Sequence, residues 1–119
     1  MGLSKYQKIN HFPCAYEMTR KNCLGVHVWK MHERFSKDEF HFIPQTFSLP
    51  EQMTEFRVAF NKGKKEGTRD MWIVKPNTLS RGRGIYLIDE LSDLKEDEEC
   101  AVGEYIDNPF LINGLKFDL

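Results

Sequence analysis

Met71-Trp-Ile-Val-Lys-Pro-Asn-Thr-Leu-Ser-Arg-Gly-Arg-Gly-Ile-Tyr-Leu-Ile88 decides the reading of this chain, because it joins two β-prone runs through a basic, glycine-paired loop. Trp72, Ile73 and Val74 form the first apolar run, and Ile85, Tyr86, Leu87 and Ile88 form the second. Pro76 has no N–H with which to continue a sheet ladder. The pattern predicts two strands, with Lys75 at the end of the first and Ser80-Arg-Gly-Arg-Gly84 between them. Gly82 and Gly84 permit positive φ and let the backbone approach a ligand, while Arg81, Arg83 and the loop N–H groups supply donors and positive charge. Such a loop suits a polyphosphate. A Gly-Arg-Gly hairpin turn with nothing bound has the same sequence, so both readings stand at this point. A P-loop is excluded because the lysine precedes the glycines. A Rossmann fingerprint is excluded because a strand, not a helix, follows the loop.

Working outward, residues 6–13 read as an extended entry, after which Thr19 is placed to cap a helix. Leu24, Val28, Met31 and Phe35 fall at i, i+4, i+7 and i+11 of that helix, a stripe expected to face the core. Gly25 inside it weakens the helix by about 1 kcal/mol relative to alanine. Phe40-His-Phe-Ile43 alternates towards Pro44, and Gln45-Thr-Phe-Ser-Leu49 continues as a short strand, so two prolines bracket an edge-like element. Pro50 then opens a second helix with Glu51 in its first turn, Met53, Phe56 and Phe60 on one face, and Lys62-Gly63 as the stop. Beyond the glycine loop, Leu91-Ser-Asp-Leu94 suggests a helical turn, residues 95–99 a solvated charge run, and Cys100-Ala-Val-Gly-Glu-Tyr-Ile106 a further strand. Asn108-Pro109 breaks it. Residues 110–119 resume a strand-like apolar pattern on which Lys116 and Asp118, two apart, would face the same side. A nucleotide could meet both there, and a surface ion pair is the plainer alternative.

With 119 residues, 40% hydrophobic and 13% aromatic, the chain has the material for one domain with a core. Net charge is −1 but unevenly placed: residues 62–83 carry seven basic and two acidic side chains, and residues 89–119 ten acidic and two basic. Cys14, Cys23 and Cys100 follow no metal-ligand spacing, which favours reduced thiols in the cytosol, and no metal ligands are assigned in this segment. No apolar leader or membrane-length run is present, and Tyr6 stands where a myristoylation signal needs Ser or Thr, so no membrane partner is expected. The basic stretch lacks interleaved aromatics and the C-terminal third is acidic, so no nucleic-acid partner is expected either.

Seven pieces in order, Asn10-His-Phe-Pro13, Arg20-Lys21, Phe42-Ile-Pro-Gln-Thr46, Trp72-Ile-Val-Lys-Pro76, Arg81-Gly-Arg-Gly-Ile85, Glu104-Tyr-Ile106 and Lys116-Phe-Asp118, resemble the tubulin tyrosine ligase-like family. The resemblance covers nearly the whole chain. It implies an α+β, ATP-grasp-like fold in which two subdomains hold ATP, and ligases that join amino acids to tubulin or other proteins. Lys75 then looks like the lysine that contacts the ATP phosphates, and Arg81, Gly82, Arg83, Gly84 and Ile85 like the loop that closes over them, with Arg81 also near an acidic acceptor. Gly103, Glu104, Tyr105 and Ile106 resemble the linker that meets the adenine edge. Lys116 and Asp118 resemble the pair on the ribose and phosphate side. His11 and Arg20 match motifs without an assignable task, where packing or capping suffices. Gly103 departs from the polar residue, often Gln, usual in the family, so a side-chain contact to adenine would be missing while backbone contacts survive.

The resemblance further implies residues 1–45 as entry region and first helix, 46–106 as a central nucleotide-binding subdomain, and 107–119 as the start of a C-terminal subdomain. The apolar pattern running off the C-terminus leads to the expectation of an incomplete domain, with the Mg²⁺ ligands in the missing part and the 119-residue piece inactive alone. The implied reaction is ATP-dependent polyglutamylation of tubulin, with free glutamate as the second substrate and the cytoplasm, cytoskeleton, cilium or basal body as the setting. The alternatives are glycine ligation, a non-catalytic module that binds acidic tubulin tails through residues 62–83, and a chain that fails to fold.

Overall fold

The computed structural model describes residues 2–40, 42–67, 71–77, 79, 82–95 and 97–117, with only the backbone of Lys37 and Asp38. Its centre is a four-stranded sheet of order β1-β4-β2-β3, in which β1 is Thr46–Leu49, β2 Trp72–Pro76, β3 Tyr86–Ile88 and β4 Cys100–Glu104. Every pairing is antiparallel. The helices are α1 (Tyr16–Thr19), α2 (Lys21–Arg34), α3 (Lys37–Phe40) and α4 (Met53–Glu66), with a 3-10 turn at Leu91–Asp93. The architecture is α+β, as the sequence predicts.

Strand alternation sorts the sheet into two faces. Phe47, Leu49, Trp72, Val74, Ile88, Cys100 and Val102 form one buried face, against which α4 lays Phe56 and Phe60. The centre is aromatic: Trp72 meets Phe56 edge-on at 5.2 Å and 85°, Phe47 at 5.9 Å, and Phe60 nearly stacked at 6.4 Å. Each such pair contributes about 0.5–1.5 kcal/mol beyond area burial. The indole N–H of Trp72 is buried in this cluster without a hydrogen-bond partner among the described residues.

The opposite face carries Thr46, Ser48, Ile73, Lys75, Leu87, Ala101 and Gly103, paired in register as Thr46 with Gly103, Ile73 with both Gly103 and Leu87, and Lys75 with Ala101. Helix α2 covers only its β1–β4 side, where Gly25 comes so close to β1 that an added Cβ would lie 3.2 Å from Thr46 Cγ2. The β2–β3 side stays open, with Leu87 43% and Ile85 37% exposed.

Several boundaries differ from the sequence reading. The first helix is broken: α1 ends at Thr19, and α2 starts after Arg20, whose extended backbone interrupts the helix and whose side chain makes no capping bond. Of the predicted stripe Val28 is buried, but Met31 is 38% and Phe35 56% exposed, and Gly25 is buried against Thr46 of the sheet. Of the run expected to alternate over 40–43, Phe40 ends α3, His41 lies outside the described residues, and Phe42 and Ile43 lie outside any strand; Ser36 Oγ accepts the Glu39 N–H at 3.3 Å at the start of α3, one half of a capping box. Pro50 lies in a turn ahead of α4, which starts at Met53 and runs past Lys62-Gly63 to Glu66. Gly67 closes it at φ 60°, donating its N–H to the Gly63 and Lys64 carbonyls.

β1 is an edge strand, as expected. Its outward-facing Ser48 is satisfied locally, the N–H donating to Gln52 Oε1 at 2.8 Å and the carbonyl accepting the Gln52 N–H at 2.8 Å. Part of that edge is thereby closed to a further strand. Where a strand is expected over 110–119, the described residues 110–117 hold instead a tight turn in which Ile112 and Leu115 exchange both backbone bonds around Asn113 (φ 52°) and Gly114 (φ 76°). Asn-Gly is the favoured pair for a two-residue turn with positive φ at both positions.

Burial raises two acids. The Cys100 thiol, ordinarily at 9.0, is pushed up to about 11, and the Tyr86 phenol, ordinarily at 10.0, to about 12 by burial and by its 2.8 Å bond to Glu98 Oε2. Both stay neutral in the folded chain where the unfolded chain has already released the proton. Their stabilisation is therefore complete below pH 9 and lost as pH rises, over 9 to 11 for Cys100 and 10 to 12 for Tyr86. Melting temperature measured across this range should fall, and Cys100→Ala should remove the earlier part of the fall. A flat profile to pH 11 would contradict the burial of Cys100.

Candidate functional site

Lys75 is the fourth residue of β2, and its neighbours Val74 and Pro76 point into the core, so its side chain lies on the open face. Ala101 beside it is too small to cover it. The lysine is half-buried and has no hydrogen-bond or ion-pair partner among the described residues. Ile73, Leu87 and Ile85 give the same face an apolar floor next to this cation.

The glycine loop connects β2 and β3 at the Lys75 end of the sheet. Gly82 and Gly84 hold φ of 74° and 68°, as their sequence context predicts. They differ in surroundings. A Cβ on Gly82 would meet nothing within 4 Å, whereas one on Gly84 would lie 2.6 Å from Leu79 Cδ1 and 3.4 Å from Pro76 Cγ. Gly84→Ala should therefore displace Leu79 as well as add the roughly 1–2 kcal/mol of a left-handed L-residue, and Gly82→Ala should add only the latter. Thermal unfolding of the two variants checks this, and equal losses would show that the Leu79 contact carries no weight. Arg83 is exposed and engaged within the fold. Arg81 lies outside the described residues, as does Asp118.

At the other end of the sheet, Glu104 closes β4 and donates its N–H to Gln45 O at 2.9 Å; Tyr105 donates its own to Met71 O at 3.2 Å. These two amides serve the ladder and are not available to an adenine edge. Ile106, 57% exposed, is the first of the group whose N–H makes no backbone bond among the described residues. From Met71, beside Tyr105, to Lys75 is four residues of strand, about 13 Å. That span is long enough to seat a nucleoside triphosphate.

Gly103 is buried, and a Cβ there would come within 3.2 Å of Thr46 Oγ1. Its missing side chain is thus accounted for by packing. Lys116 follows the Asn113-Gly114 turn, exposed and outside any strand, so strand alternation does not relate it to Asp118. His11 is exposed, and the Arg20 guanidinium lies 5.7 Å from the Tyr16 ring.

The structure adds Lys21, Leu79 and Asn77 to the site. Lys21 Nζ donates to the Leu79 carbonyl at 3.3 Å, tying the start of α2 to the glycine loop. Its place in the basic pair Arg20-Lys21 was the available signal. Asn77 Oδ1, just past β2, is buried without a hydrogen-bond partner among the described residues and calls for a donor such as a hydroxyl. No sequence pattern marks it. Among the described residues there is no group of three or more His, Cys, Asp or Glu placed to hold a metal ion, and no helix long and apolar enough to cross a membrane. The described residues therefore supply no such ligand group for Mg²⁺.

An antiparallel α+β sheet with a cation and a left-handed glycine loop beside an uncovered apolar face is the class of protein defined here. The description of the Tubulin-tyrosine ligase family matches residues 1–119, and the chain belongs to that family. It is 44% identical over 117 residues to tubulin polyglutamylase TTLL5 of Homo sapiens, an alignment covering 98% of this chain and 9% of that protein. It is 39% identical over 118 residues to tubulin monoglutamylase TTLL4 of Homo sapiens (99% and 10%) and 39% identical over 119 residues to tubulin polyglutamylase ttll6 of Danio rerio (100% and 15%). The chain spans about a tenth of the length of curated relatives such as tubulin polyglutamylase TTLL5.

Proposed function

We propose that the protein carrying this chain is an ATP-dependent ligase that adds glutamate to side-chain carboxylates of tubulin, and that this segment supplies part of an ATP-grasp-like nucleotide site. The observation that carries the reading is the unpartnered Lys75 on an open apolar sheet face, next to a left-handed glycine loop. Polyglutamylase and monoglutamylase names among the relatives support the choice of tubulin and glutamate. Residues 46–106 are the nucleotide-binding part of this proposal, preceded by the entry region and followed by a C-terminal subdomain.

An acceptor carboxylate resists attack by an amine. Transfer of the γ-phosphoryl group from ATP makes it an acyl-phosphate, and the amine of free glutamate then displaces phosphate to form an isopeptide bond. Such transfer depends on positioning and on neutralising charge. Lys75, Arg83 and Arg81 supply the positive charge, and Arg81 is also the proposed contact for the acidic acceptor. The Ile73 and Leu87 floor with the Ile106 N–H takes the base, and Lys116 with Asp118 the ribose side. No step is assigned to a metal, and the 119-residue segment assayed alone should incorporate no amino acid. The cytoskeleton, including cilia and basal bodies, is the setting that a tubulin acceptor implies.

The test is incubation of the whole protein with ATP, tubulin and radiolabelled glutamate or glycine separately. Glutamate incorporation that requires ATP is the expected result, and incorporation of glycine alone overturns the choice of amino acid. A non-catalytic tubulin-tail module is the second reading, favoured by the exposed lysines of α4. It is weakened because Lys64 pairs with Glu90 at 2.6 Å and Lys62 with Glu66 at 3.9 Å. Salt-sensitive microtubule binding indifferent to ATP would restore it.

A further inference from the structure

We propose that Gly25, Thr46 and Gly103 form a steric seat that fixes the height of α2 over the sheet and, through Lys21 and Leu79, positions the glycine loop. On the nucleotide-binding reading, from which this follows, they are positioning residues for the phosphate end of ATP. Three elements meet at one side chain. The Thr46 hydroxyl donates to the Pro44 carbonyl at 2.9 Å, and a Cβ on Gly103 would lie 3.2 Å from that same oxygen. The Thr46 methyl faces α2, where a Cβ on Gly25 would lie 3.2 Å from it. The threonine is thus clamped between a glycine of the helix and a glycine of β4, with its rotamer held by the Pro44 bond.

Glycine weakens a helix interior, and close approach to Thr46 is what it provides here. Lys21 stands four residues before Gly25, one turn back on the same helical face. The seat therefore sets how far the Lys21 ammonium reaches. It reaches the Leu79 carbonyl at 3.3 Å, and the Leu79 side chain fills the place a Cβ on Gly84 would need. Contacts run without interruption from Thr46 through α2 and Leu79 to the left-handed Gly84.

The experiment uses the whole protein and three variants: Gly25→Ala, Thr46→Ser and the double substitution. Alanine improves the helix while crowding Thr46, so the melting temperature is not the readout. Hydrogen exchange in residues 79–85 and ATP affinity by calorimetry are. Gly25→Ala should speed exchange in the loop, leave β2 and β4 protected, and weaken ATP binding by roughly three- to tenfold, the size of coupling seen between touching side chains. Thr46→Ser removes the methyl that Gly25 meets and keeps the hydroxyl, so the double variant should recover both properties. Unchanged loop exchange and ATP affinity in Gly25→Ala, or no recovery in the double variant, overturns the seat. If the unsubstituted protein binds no ATP, the proposed function falls, and loop exchange alone still decides whether the seat holds the loop.

Discussion

Replacing Lys75 with alanine in the whole protein is expected to lower kcat/KM for ATP by about 10²–10³, the usual loss when one positioned donor to a developing negative charge is removed. Stability should hardly change, because Lys75 is half-buried on the open face and has no described partner to leave unpaired. A solvent-facing substitution of this kind usually stays within about 0.5 kcal/mol. The pairing of a large kinetic loss with an unmoved unfolding curve is the signature of a ligand contact. Steady-state kinetics over a range of ATP concentrations, with denaturant unfolding on the same samples, measures both. Activity within about threefold of the parent would remove Lys75 from the phosphate site.

The second large effect is structural. Trp72 is fully buried and touches Phe47, Phe56 and Phe60, so Trp72→Ala removes the centre of the core. The expected loss is about 3–5 kcal/mol, against a typical total of about 5–15 kcal/mol. Trp72→Phe should behave differently. It keeps an aromatic ring among the phenylalanines and deletes an indole N–H that is buried without a partner, so part of the lost packing is offset by relief of that desolvation cost. Chemical denaturation of both variants should rank alanine far below phenylalanine. Equal losses would mean that the indole nitrogen does have a partner in solution.

These two residues also show where sequence reasoning reached and where it stopped. Trp72 and Lys75 sit in one five-residue strand, and period-two alternation alone sends the first inward and the second outward. Gly82 and Gly84 were legible for an equally local reason, since positive φ is a property of the residue and its loop. The Asn113-Gly114 turn carries just as clear a local signal, but the apolar run around it has a strand-like pattern that hides it. The Ser36 and Glu39 capping pair is likewise a local signal, and it sits beside the alternating run from Phe40.

What the sequence by itself determined was whatever short-range physics controls: the four strands, the amphipathic face of α4, the loop glycines, the lone lysine, and the motif order that marks the family. What the tertiary structure decided depends on contacts between distant residues. Strand order places β4 between β1 and β2, so the Glu104 and Tyr105 amides are used in the ladder, while the Ile106 N–H makes no backbone bond among the described residues. The role of Gly25 changes from a weakness in a helix to the point where α2 meets Thr46, because a missing Cβ matters only once another chain segment occupies its space. Lys21 and Leu79, separated by 58 residues, meet only because α2 packs at that height. No periodicity in the sequence encodes such a meeting, since it arises from the close packing of side chains in three dimensions.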